Sequence, residues 1–177
     1  LLLRSEQFCR FGGGISTNGS PLVLLRCKVY ACDATAFGGG IHMASSSLQP
    51  SSLNTVDSTI QGNRAGLEGG GLHMTDTILN AAGFEVHENE ASGDGGGICV
   101  IGSGAPSMSS VVNMADSSIT RNITSGSGGG LHASLSQINF SRVSFERNHC
   151  DGPSALSLGG GLSLVRTTAK AAECSIS

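Results

Sequence analysis

The sequence is poor in aromatic and charged residues. It has no tryptophan and one tyrosine, so neither a core nor a carbohydrate-binding platform built on tryptophan is expected. Charged residues make up 13% and the formal net charge is -3, so the chain lacks the basic patch that nucleic acid or an anionic membrane requires. No apolar run is long enough for a membrane-spanning helix. The six cysteines include no CxxC pair, which argues against a zinc ribbon or a redox motif.

Glycine, in contrast, is abundant, with 27 residues. Six glycine triplets recur along the chain, and Ile or Leu follows each of them. Such internal repetition is the signature of a repeat architecture. The regularly spaced Ile, Leu and Val around the triplets favour an ordered chain over a disordered one. The triplets begin at Gly12, Gly38, Gly69, Gly95, Gly128 and Gly159.

The repeats are predicted to form one segment over residues 1–177. This length suits a single domain. The sequence opens with LLLR, without a starting Met or a signal peptide, and it stops at ECSIS without a recognisable end signal. We therefore expect a fragment of a longer chain that continues the repeats at both ends.

Two columns of asparagine accompany the triplets. In the first column an Asn precedes the triplet, and Cys32 takes its place in one repeat. In the second column an Asn lies nine residues before the first-column position. Stacked Asn side chains hydrogen-bond along a stack, and Asn also tolerates the left-handed conformation of a tight corner. The predicted ladder residues are Asn63, Asn89, Asn122 and Asn148 in the first column, and Asn54, Asn80, Asn113 and Asn139 in the second.

The segments around these columns alternate apolar and polar residues with a period of two, as in NTVDSTI and SRVSFER. This period indicates strands, and no segment sustains a period of 3.6 residues. Three short strands in each repeat, with glycine corners between them, are typical of one coil of a parallel β-helix. The sequence predicts an all-β, single-stranded parallel β-helix, or solenoid, of about six coils with Asn ladders.

The repeats resemble those of the chlamydial polymorphic outer membrane proteins. GGGI and GGGL look like the GGA[ILV] motif of that family, and FERN at residues 145–148 matches its FxxN motif. This chain has Gly in place of Ala throughout, and Ile60, Val86 and Ile119 in place of the Phe. The resemblance covers nearly the whole chain. It implies a right-handed, pectin-lyase-like parallel β-helix displayed outside the cell, for adhesion or surface assembly.

We therefore expect a non-catalytic structural or adhesive module, extracellular or at the cell surface, without a cofactor. Its expected partners are other protein segments or subunits of a surface assembly, with glycans as a further class. The alternative is a polysaccharide-active lyase or hydrolase, because such enzymes are common on this fold. That activity needs a cluster of carboxylates on one face, and no recurrent cluster is visible.

Two sets of residues are the only candidates for metal binding, although no bound metal is expected. Two residues after the triplets comes a column of His and Cys, which alternation predicts to face outward as a solvated or partner-facing polar stripe. Just before two triplets lie acidic residues, for which calcium is the expected ligand if one binds. The stripe consists of His42, His73, Cys99 and His132, and the acidic pair is Glu68 and Asp94.

Cysteines and sequons complete the candidates. Cys27, Cys32 and Cys150 are predicted to be buried small hydrophobes, although pairing of Cys32 with Cys9 or Cys27 stays open. Of three glycosylation sequons, those at Asn122 and Asn139 are predicted to be buried and unmodified, which leaves Asn18, in a loop, as the candidate. The long loops 44–52 and 100–110 are either a binding surface or tolerated insertions.

Overall fold

The computed structural model describes residues 2–3, 9–46, 51–104, 109–152 and 158–177. In these residues the chain is all-β, and no helix is long and apolar enough to cross a membrane. The first strands are β1 (Leu2–Leu3), β2 (Cys9–Phe11), β3 (Ile15–Asn18), β4 (Leu22–Leu25), β5 (Lys28–Tyr30), β6 (Asp33–Phe37), β7 (Ile41–Ala44), β8 (Ser51–Val56), β9 (Thr59–Gln61), β10 (Arg64–Ala65), β11 (Leu72–Thr75) and β12 (Thr77–Ala82). The others are β13 (Glu85–His87), β14 (Glu90–Ala91), β15 (Ile98–Ile101), β16 (Ser110–Thr120), β17 (Ile123–Thr124), β18 (Leu131–Ser134), β19 (Ser136–Glu146), β20 (His149–Cys150), β21 (Leu162–Val165), β22 (Thr168–Ala172) and β23 (Ser175–Ile176).

The strands form three sheets in which every pair is parallel. The first sheet has eleven strands, and each strand pairs with the corresponding strand of the next repeat. The second sheet has the order β2-β6-β10-β14-β17-β20, and the third has the order β21-β18-β15-β11-β7-β3. The all-β class and the parallel pairing predicted from the period-two segments are confirmed.

One hydrophobic core is shared by the three sheets. In the first sheet Leu53, Leu79 and Val112 lie in register, and all three are completely buried. In the third sheet Met43 and Met74 pair in register and are buried in the same way. Burial of apolar surface stabilises the fold by about 25 cal/mol per Å², so each repeat that extends these columns adds to the stability of the core.

The glycine triplets lie where neighbouring backbones approach too closely for a side chain. A Cβ on Gly70 would lie 2.3 Å from the carbonyl oxygen of Gly96 and 2.4 Å from that of Glu90. A Cβ on Gly71, where the resembling motif has Ala, would lie 2.8 Å from the carbonyl oxygen of Gly97. The first glycine, Gly69, has a φ of 66°, in the left-handed region that favours glycine. Close approach thus requires the second and third glycines, and backbone conformation favours the first.

The first asparagine column is hydrogen-bonded as a ladder, in which Asn63, Asn89 and Asn122 are buried and Asn148 is half-buried. The Nδ2 of Asn63 donates to Oδ1 of Asn89 at 2.9 Å, and Nδ2 of Asn89 donates to Oδ1 of Asn122 at 2.9 Å. Nδ2 of Asn122 donates to Oδ1 of Asn148 at 3.0 Å. The same oxygens accept backbone N–H groups, so each side chain satisfies polar groups of the corner that water cannot reach.

The expected left-handed conformation of these asparagines is wrong. Among the described residues, the positive φ belongs to the residue just before the Asn, as at Gly62, Glu88 and Arg121. The Asn itself has an ordinary backbone, because its function is to hydrogen-bond the corner rather than to make the turn. Glu88 and Arg121, which occupy this turn position, are exposed.

Neither Cys9 nor Cys27 forms a disulfide bond with Cys32. Cys32 is buried in the core, as predicted for a small hydrophobe, whereas Cys27 and Cys150 are only half-buried. Both lie in outer repeats, where fewer neighbours cover them. The long loops 44–52 and 100–110 fall partly on residues 47–50 and 105–108, which lie outside the described residues.

Candidate functional site

The His and Cys column lies in the third sheet, at the second residue of each strand. His73 of β11 pairs with His42 of β7 and with Cys99 of β15, and Cys99 pairs with His132 of β18. The predicted solvated stripe is wrong, because His73, Cys99 and His132 are 3%, 0% and 8% exposed. These side chains alternate with core residues but are covered from outside by the residues that precede the glycine triplets.

The first part of this cover is aromatic. The rings of Phe11 and Phe37 stack with centroids 5.8 Å apart. Phe37 lies 4.8 Å from the ring of His73, and Phe11 lies 5.0 Å from the ring of His42. His42 and His73 stack on each other at 5.3 Å with their planes 7° apart. His42 is therefore one member of an aromatic stack.

The second part of the cover is acidic. Glu68 replaces the Phe of the earlier repeats, and its Oε2 lies 3.4 Å from Nε2 of His73 and 3.7 Å from Sγ of Cys99. All three ligand atoms lie within 4.8 Å of one another. The sequence placed Glu68 and the His and Cys column in separate candidate sites. The structure brings them together because the triplet at residues 69–71 turns the chain back across the strand.

Asp94 repeats this arrangement one strand further on. Its Oδ2 lies 3.9 Å from Nε2 of His132, and its Oδ1 accepts the backbone N–H of Ser127 at 2.6 Å. Glu68 and Asp94, predicted to share a calcium site, thus each have a separate imidazole partner. One pattern in the sequence could have indicated this pairing. Glu68 precedes His73 by five residues with a glycine triplet between them, and Asp94 precedes Cys99 in the same way.

The electrostatics of the cluster favour ligand binding over nucleophilic catalysis. Burial raises the pKa of the Cys99 thiol well above its usual value, and the negative charges of Glu68 and Asp94 raise it further. The polar contact with His73 lowers the pKa of Glu68. A completely buried neutral thiol beside a carboxylate is a poor nucleophile, because the thiolate is the reactive form. The same three side chains are good ligands for a cation.

Acid is expected to destabilise the protein through His42. Burial, together with the charge of the neighbouring His73, lowers the pKa of His42 from 6.5 to about 4. The unfolded chain therefore binds the proton more tightly, and stability is lost as the pH falls from 6.5 towards 4, by at most about 1.4 kcal/mol per pH unit and by less for a half-exposed ring. Urea unfolding of the wild type and of His42→Phe at a series of pH values measures this loss, with a chelator present so that bound metal ions do not contribute. In the variant, the introduced phenylalanine extends the aromatic stack, and the free energy of unfolding should fall less steeply with pH than in the wild type. The same pH dependence in both proteins would contradict the assignment of this loss to His42.

A second feature is an open groove of about 490 Å³ on the first sheet. Its lining comes from four strands in register, at residues 54–56, 80–82, 113–115 and 139–141. The second asparagine column runs along it, with Nδ2 of Asn80 donating to Oδ1 of Asn54 at 2.9 Å and Nδ2 of Asn113 donating to Oδ1 of Asn80 at 2.8 Å. None of the lining residues is charged or titratable, and the lining is mainly apolar.

The second column is a surface ladder, and the predicted burial of Asn139 is wrong. Asn139 is exposed, with its Nδ2 donating to Oδ1 of Asn113 at 2.9 Å. The reason is strand alternation: Ile138 and Phe140 point into the core, so the residue between them points out. Asn122 is buried as predicted. Asn18, predicted in a loop, is the exposed last residue of β3.

Comparisons of the chain with family models, curated proteins and solved structures returned no match. The interpretation of both features therefore depends on their own geometry.

Proposed function

We propose that the chain is one right-handed parallel β-helix that serves as a non-catalytic structural and adhesive module outside the cell. The observation that carries the proposal is the parallel pairing of repeat upon repeat in all three sheets, which is in register apart from one shift in β2, between Cys9 and Phe11. A stack of this kind is stiff, because each repeat is fixed by backbone hydrogen bonds and by a shared core along its length. The likeness of the repeats to those of surface proteins supports the location.

The groove on the first sheet supports a binding role without catalysis. Hydrolysis or elimination at a sugar needs acid and base groups, and none lines the groove. Recognition of an anionic polysaccharide needs cationic side chains, which the lining also lacks. Apolar side chains beside a row of amides suit an extended protein segment, which presents its own amides and apolar groups. We therefore assign the groove to a protein partner of a surface assembly.

Site-specific photo-crosslinking on intact cells that express the protein tests this function. A photoreactive residue at Val56 should yield adducts with a protein partner, because Val56 lines the groove and is 43% exposed. The matched control is Ile123, which is 42% exposed but lies in the second sheet. Equal adduct yields at the two positions would contradict the assignment of the groove. Release of sugar products from any of a panel of polysaccharides would contradict the absence of catalysis, and labelling by antibody only after permeabilisation would contradict the location.

A further inference from the structure

The cluster on the outer face of the third sheet contains three side chains whose ligand atoms already converge. His73 and Cys99 are paired across neighbouring parallel strands, which lie about 4.8 Å apart. Glu68 lies over both of them from the preceding corner. The three ligand types are an imidazole nitrogen, a thiol sulfur and a carboxylate oxygen, a set that is typical of zinc and related divalent transition metals. Calcium and magnesium take oxygen ligands and do not select sulfur.

The distances match tetrahedral coordination. Bonds of about 2.0–2.3 Å at tetrahedral angles place neighbouring ligand atoms about 3.3–3.6 Å apart. Oε2 of Glu68 is 3.4 Å from Nε2 of His73 and 3.7 Å from Sγ of Cys99. The remaining edge, between the nitrogen and the sulfur, is no longer than 4.8 Å. Side-chain rotation that shortens this edge to about 3.5 Å would place all three ligand atoms at tetrahedral spacing.

Burial and charge give a second, independent reason. Among the described residues, neither ring nitrogen of His73 has a hydrogen-bond partner, although His73 is only 3% exposed. The Nε2–Oε2 pair is close enough for a polar contact, but it is not aligned as a hydrogen bond. An unsatisfied buried donor or acceptor destabilises the fold, and a cation bound at Nε2 would satisfy that nitrogen. One carboxylate and one thiolate also balance the charge of a divalent ion, as a buried site requires.

We propose that Glu68, His73 and Cys99 bind a zinc-type divalent metal ion. On binding, the sulfur–hydrogen bond of Cys99 is replaced by a sulfur–metal bond, and the proton is released to solvent. His73 binds through the neutral Nε2, and Glu68 binds as the carboxylate. His42 is excluded from the site because its ring stacks between aromatic neighbours. The ion would join two neighbouring strands and the corner before them, and thereby stabilise the middle of the stack.

Cobalt titration of the metal-free full chain tests the site. Co²⁺ should bind with a stoichiometry of one and give both tetrahedral ligand-field bands and a thiolate-to-cobalt charge-transfer band. Zn²⁺ should displace it and raise the thermal midpoint of unfolding. Cys99→Ser should abolish the charge-transfer band and weaken Zn²⁺ binding by at least about 100-fold, and Glu68→Gln, at a half-buried position, should weaken it by at least about 10-fold.

The control is Cys174→Ser, because Cys174 is a half-buried free thiol between β22 and β23, outside the cluster. It should leave the cobalt spectrum and the zinc-dependent rise in the midpoint unchanged. Cobalt bound without a thiolate band would overturn the proposal. Equal losses in Cys99→Ser and Cys174→Ser would also overturn it, because they would show nonspecific binding to thiols. The proposal is independent of the proposed function of the module.

Discussion

Replacing Asn89 by alanine is expected to lower the free energy of unfolding by about 3–5 kcal/mol. This is a large share of the 5–15 kcal/mol that holds a typical domain folded. The side chain of Asn89 is completely buried. Its Oδ1 accepts the backbone N–H of Asn63 at 3.0 Å and the Nδ2 of Asn63 at 2.9 Å, and its Nδ2 donates to the carbonyl of Ile60 at 3.1 Å. Truncation leaves those groups unsatisfied in a place that water cannot reach.

The matched control for this prediction is Asn80→Ala, in the same repeat. Asn80 also belongs to an asparagine ladder, with hydrogen bonds of similar length to Asn54 and Asn113. It is exposed, so water replaces the lost bonds, and the expected cost is below about 1 kcal/mol. Urea unfolding followed by circular dichroism measures both variants. Equal losses of stability would show that burial does not decide the value of a ladder asparagine, contrary to this account.

Alanine at Gly96 is expected to have an even larger effect and to prevent stable folding. A Cβ there would lie 2.4 Å from the carbonyl oxygen of Ile123 and 2.6 Å from that of Gly129. Both atoms are backbone of the next repeat, so the strands must separate to admit the methyl group. Separation weakens the parallel pairing on both sides, and the expected cost exceeds about 4 kcal/mol. Soluble yield and the thermal midpoint of unfolding measure the effect.

Gly62→Ala separates steric contact from backbone conformation. Gly62 has a φ of 60°, but a Cβ at this position meets no atom within 4 Å. The substitution should therefore cost only the left-handed penalty of an L-residue, about 1–2 kcal/mol. If Gly62→Ala proves as damaging as Gly96→Ala, the steric explanation of the loss at Gly96 is contradicted.

Much of the fold was predictable because its signals are local and recur. A period of two identifies strands wherever one face is buried, and aligned columns such as Ile60 and Val86 identify register, which the structure places in direct pairs. The recurring triplets indicated close approach of neighbouring backbones, and in the structure only a residue without a Cβ fits at Gly70. Each of these inferences needs only neighbouring residues and the repeat.

The candidate site was harder to predict, because it depends on which residues cover the outer face of a strand. Alternation correctly predicted that His73 and Cys99 point outward from the core, but it gives no information about a second layer that covers the outer face of the sheet. That layer is formed by Phe37 and Glu68, one position before the triplets. Alternation also indicated that Asn139 is exposed, since two core residues flank it. Its burial was predicted instead because it belongs to an asparagine column.

A buried asparagine ladder holds together the repeats that stack in parallel register. Hydrogen exchange of the asparagine side-chain amides, followed by nuclear magnetic resonance, tests this role most directly. We expect the Nδ2 protons of Asn89 and Asn122 to exchange only through global unfolding, at the rate of the most protected backbone amides. We expect those of Asn80 and Asn113, in the surface ladder, to exchange far faster. Equally rapid exchange in both ladders would contradict the buried ladder and the stack that it stabilises.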